Sequence, residues 1–88
     1  MTAVWESPHV GALLDIGQIR KNMEDQSLKN TGLPFGHGQD DAAFGELVMD
    51  SLRKSASEAR DLDMATHLLG AAAVIVAWIE DIRARSIN

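Results

Sequence analysis

Cysteine is absent from this chain. Its absence excludes a disulfide framework, a thiolate metal site and a cysteine nucleophile. It also fits a reducing compartment, and the cytoplasm is the expected location. Basic residues are few: Lys plus Arg number 8 against 13 Asp plus Glu, for a formal net charge of −5. The cations are scattered, at Arg20/Lys21, Lys29, Arg53/Lys54, Arg60, Arg83 and Arg85. No basic stripe of the kind a phosphate backbone selects is present, so no nucleic-acid partner is expected. The opening residues MTAVWESPHV hold no basic region followed by an apolar stretch, so no secretory leader is expected. Long hydrophobic runs are lacking too. The longest uncharged run, Met64 to Ile79, has 16 residues, whereas a membrane span takes about 20 mostly apolar ones. No membrane partner is therefore expected. There is no internal repeat and no low-complexity tract.

What is present is helical patterning in a chain of 88 residues, a length that predicts one domain over 1–88. The first helix is expected at about 8–27. Ser7 before Pro8 is a start signal, because a serine oxygen caps free N–H groups and proline suits the first turn. Val10, Leu13, Leu14 and Gly17 share one face, widened by Ile16, Ile19 and Met23. Gly11 and Gly17 each weaken this helix by about 1 kcal/mol relative to Ala. A Gly-rich loop, NTGLPFGHGQ, is expected at about 30–39, with Leu33 and Phe35 turned onto the core.

The second helix is expected at about 41–59, capped by Asp40 or Asp41. Its apolar stripe runs through Phe44, Leu47, Val48 and Leu52 and then turns small, at Ser55, Ala56 and Ala59. The third is expected at about 62–86, with acids in its first turn and Arg83 and Arg85 in its last, both favourable to the helix dipole. The link between helices two and three holds no Gly or Pro and reads as a tight turn near 60–63 or a bend. A strand reading of AAAVIVAWI fails for want of a second strand to pair with it.

The stretch GAAAVIVAW, residues 70–78, is apolar on every side. Such a helix is a buried helix. Leu68, Ala72, Ile75, Ile79 and Ile82 form one wide face that the other two helices can cover. The opposite side then needs a cover of its own. A second copy of the chain is the expected one, contacting Leu69, Ala73, Val76, Ala77 and Trp78. Alternatively an N-terminal arm and the loop, through Val4, Trp5, Leu33 and Phe35, wrap that side of a monomer. The predicted fold is thus an all-α, three-helix small domain with an N-terminal arm and a Gly-rich loop, completed as a helical-bundle homodimer.

Candidate chemistry is sparse. His37 lies near Asp40 and Asp41, and His67 follows Asp63 by one helical turn. These are weak candidates for metal ligands, since a zinc site needs three or four well-placed groups. No cofactor and no catalytic residue is expected. The function expected from sequence is a small, non-enzymatic, regulatory protein that works as a homodimer and binds another protein. A metal-binding or catalytic dimer using Asp63 and His67 is one alternative. An acidic inhibitor of a nucleic-acid-binding complex is another, but the acids are spread along the chain.

Overall fold

A computed structural model describes residues 7–86. It contains three helices: α1 (Pro8–Thr31), α2 (Asp41–Ser57) and α3 (Asp61–Ser86). No strand occurs among the described residues. The fold is all-α, and α3 is its centre: α1 and α2 each pack along α3, and side chains of both enter one core against it. Val4 and Trp5, the expected arm, lie outside the described residues.

The helix ends follow from local chemistry. Ser7 takes the extended N-cap conformation and its carbonyl accepts from the Gly11 N–H at 3.0 Å, but its side chain makes no capping bond to α1. The expected side-chain cap is thus replaced by proline at the start of the helix, which has no N–H to satisfy. α1 runs about a turn further than its sequence suggested. It ends where Gly32, at φ 73°, turns left-handed and donates to the Leu28 carbonyl at 2.9 Å. Asp40 caps α2 by accepting from the Ala43 N–H at 2.8 Å. α2 stops at Ser57 and α3 starts at Asp61, so the link is a tight turn rather than a bent continuous helix.

Paired residues give the helix directions. Asp41, at the start of α2, meets Trp78 and Arg85 near the end of α3. Glu58, just past α2, meets His67 near the start of α3. α2 and α3 are therefore antiparallel. The first turns of α1 lie beside the first turns of α3, and Arg20 reaches Glu80 further along, so α1 and α3 run in the same sense.

The core is small. Phe44, Val74 and Ala77 form its centre, with Met23, Phe35, Val48 and Trp78 packed around them. Phe44 is 1% exposed, and its ring stacks on Trp78 with centroids 5.9 Å apart. Gly36 makes this possible. It sits at φ 77°, and a Cβ there would lie 2.6 Å from Phe44 Cζ. The loop thus lies directly on the Phe44 ring. Of the two loop residues expected to turn inward, Phe35 packs on the core and Leu33 stays exposed. Ser55 lies buried where the small stripe of α2 was expected to admit a neighbour.

Two polar clusters tie these elements together. In the first, the Glu24 carboxylate accepts from Arg20 Nη1 and from the Phe35 backbone N–H, each at 3.0 Å. Arg20 also donates from Nε to Glu80 at 3.0 Å and lies 5.8 Å from the Phe35 ring centroid. One guanidinium thus joins α1, the loop and α3. Partial burial works against charge on Glu24, but the Phe35 N–H and the Arg20 cation outweigh it and lower its pKa. Burial likewise works against charge on Arg20, and the two glutamates outweigh it. In the second cluster, Asp41 accepts from Trp78 Nε1 at 2.9 Å and from Arg85. Those two bonds lower the Asp41 pKa.

Candidate functional site

The side of α3 that is covered is opposite to the one the sequence suggested. Ala73 and Ala77, expected at a dimer interface, are buried within the protomer along with Ala71 and Val74. Trp78, expected beside them, is engaged by Phe44 and Asp41. Leu69 and Val76 are half-buried. The face expected to be covered by the other helices is instead open: Leu68, Ile75, Ile79 and Ile82 are 45%, 40%, 42% and 42% exposed. The reason is size. The alanine side of α3 admits the close approach that Phe44, Phe35 and Met23 require. The isoleucine side would hold any neighbour further out.

The open residues form a line. Leu68, Ile75, Ile79 and Ile82, with the half-buried Ala72 between the first two, follow one another at alternating spacings of four and three, the pattern that keeps one stripe facing a partner helix. Beside Leu68 and Ala72 the line drops into a groove of about 590 Å³ between the first halves of α1 and α3. Gly11, Ala12 and Ile16 form its α1 wall, and Asp15 stands at its rim. The small residues create the opening. An added Cβ at Gly11 would meet nothing within 4 Å.

Charge frames this surface. The first turn of α3 carries Asp61 and Asp63 and its last turn Arg83 and Arg85. Arg85 is engaged by Asp41 and, at 3.6 Å, by Asp81. Asp15 and Arg83 form no ion pair with any described residue.

The histidines fall elsewhere. His67 pairs with Glu58 at 3.0 Å, across the α2–α3 turn, and not with Asp63 as its spacing suggested. His37 is exposed in the loop, while Asp40 is committed to capping α2. Among the described residues no group of three His, Asp or Glu side chains is placed to hold a metal ion. Sequence reasoning missed Glu58 and Glu24 as partners. Glu58 lies nine residues from His67, and only knowledge of the turn between them brings the two together.

By length and composition α3 is long and apolar enough to cross a membrane, with mean hydropathy 1.7 over its best 18-residue window, 22% of it buried. The uncharged run ends before Glu80, whereas the helix continues to Ser86. Comparison with protein-family models, with curated proteins and with solved structures yields no match.

Proposed function

We propose that this chain is a small, non-enzymatic regulatory protein of the cytoplasm that works by binding protein surfaces, and that it does so as a homodimer. The open line of Leu68, Ile75, Ile79 and Ile82 carries the reading. Single exposed aliphatic residues are ordinary, but a contiguous row on the central helix marks a contact surface. Its helical spacing suits another helix rather than a small molecule. The net charge of −5 opposes phosphate backbones and anionic lipid surfaces alike.

The length and hydropathy of α3 favour one other reading, a membrane-inserted helix. Insertion would have to separate Glu80 from Arg20, and Trp78 and Arg85 from Asp41. It would also strip Val74 and Ala77 from Phe44. Those interactions favour the protein-binding reading.

Sedimentation velocity across a range of protein concentrations tests the proposal. The expected result is a reversible monomer–dimer equilibrium that shifts to monomer in Ile79→Asp while helicity is retained. A wild-type chain that stays monomeric throughout contradicts it.

A further inference from the structure

The open surface of α3 has two unlike halves. Towards its start it is a groove, walled by Gly11, Ala12 and Ile16 and floored by Leu68, Leu69 and Ala72. Towards its end it is a ridge of Ile75, Ile79 and Ile82. Both halves lie on one line of one helix. A two-fold axis at the level of Ile75 brings the ridge of each copy onto the groove of the other. In that register Ile79 lies opposite Ala72, large against small, and Ile82 lies opposite Leu68. Interfaces of this two-fold kind are self-complementary.

The charges select the same direction. With α3 helices antiparallel, Arg83 of one copy comes level with His67 of the second copy, beside the groove whose rim carries Asp15. A parallel pairing would set Arg83 against Arg83 and the acidic first turns against each other, and would align the helix dipoles unfavourably. Neither Asp15 nor Arg83 has an ion-pair partner among the described residues, as noted above. Gly11 fits the same account. A glycine weakens a helix, and among the described residues nothing lies within 4 Å of the Cβ it lacks. Its smallness serves whatever enters the groove.

We infer that two copies pair α3 against α3 in antiparallel register, Ile79 and Ile82 of each entering the α1–α3 groove of the other, with Arg83 of each facing Asp15 of the other. This rests on the homodimer reading above and specifies its geometry.

Sedimentation equilibrium of the full chain, with four variants, tests it. Gly11→Leu fills the groove from an open position and is expected to leave a helical monomer. Arg83→Glu and Asp15→Lys each set like charges together twice in the symmetric dimer and weaken it roughly tenfold. Mixing these two variants restores association as a heterodimer, because each copy then offers the charge the other lacks. Full-strength dimers of Gly11→Leu, or no rescue on mixing, overturn the register. Ile79→Asp separates the two ideas. If it alone dissolves the dimer, the open face is the interface and the antiparallel register is wrong. A wild-type chain that is monomeric at every concentration, or that floats with phosphatidylcholine vesicles as a monomer, overturns both.

Discussion

Replacing Gly36 by Ala tests the packing that holds the loop to the core. The added Cβ would lie 2.6 Å from Phe44 Cζ and 3.0 Å from Cε1. The Phe44 ring is 1% exposed and stacked on Trp78, so it has no free direction of retreat. Forcing extra volume into a packed core costs about 1–3 kcal/mol. The left-handed backbone at φ 77° adds about 1–2 kcal/mol for any residue with a Cβ. A total loss of about 2–5 kcal/mol is large against the roughly 5–10 kcal/mol expected for a domain of this size. At about 4–8 °C per kcal/mol, the melting temperature falls by at least about 8 °C.

Gly38→Ala is the control. Its φ of 79° is nearly the same, but nothing lies within 4 Å of its added Cβ. It should lose only the backbone part, about 1–2 kcal/mol. Urea and thermal unfolding followed by circular dichroism, at one fixed protein concentration, measures both. Equal losses in the two variants would show that Phe44 does not lie under Gly36, and the account of the core would fail.

Three further outcomes follow from the polar clusters and the core. Glu24→Gln removes a charged acceptor shared by Arg20 and the Phe35 N–H, and should lower unfolding free energy by about 1–2 kcal/mol at neutral pH. The Glu24 pKa is lowered in the fold, so its contribution is present above the ordinary glutamate value near ~4.3 and is lost as pH falls through the depressed value. Wild-type stability should therefore decline on acidification more steeply than that of Glu24→Gln. Trp78→Phe keeps a ring against Phe44 but loses the donor to Asp41; a small fall in the urea midpoint is expected, well short of that of Phe44→Ala. Phe44→Ala removes the largest buried side chain and should cost about 3–5 kcal/mol, leaving little cooperative unfolding in a thermal scan.

Much of the fold was legible in the sequence because helix signals are local. Pro8, Asp40 and the clustered glycines mark helix ends through their own backbone chemistry. The apolar run at 70–78 marks the central helix by its composition. Which side of that helix is covered was not legible. Wide apolar coverage leaves no polar face to indicate orientation, so either side could be given to the other two helices, and the sequence reading gives them the isoleucine-rich one. In the structure the small side is the covered one instead: Ala71, Ala73, Val74 and Ala77 are buried, and Phe44 packs on Val74 and Ala77.

The polar partners were hidden for a related reason. Asp63 and His67 satisfy a one-turn spacing, yet the Glu58 carboxylate occupies His67 from beyond a turn whose position the sequence left open. In the sequence Arg20 is one of several scattered cations. Its reach to Glu80, 60 residues away in the chain, depends on α1 and α3 running side by side.

The homodimer reading turns on whether Ile79 faces a second copy. Ile79 probes this better than Val76, which is half-buried in the protomer and would report folding as well as association. Sedimentation velocity of the wild-type chain and Ile79→Asp, with helicity recorded on the same samples, is the most direct measurement. The account predicts a concentration-dependent dimer for the wild type and a fully helical monomer for the variant. A wild-type monomer at all concentrations, or an Ile79→Asp dimer of unchanged strength, contradicts it.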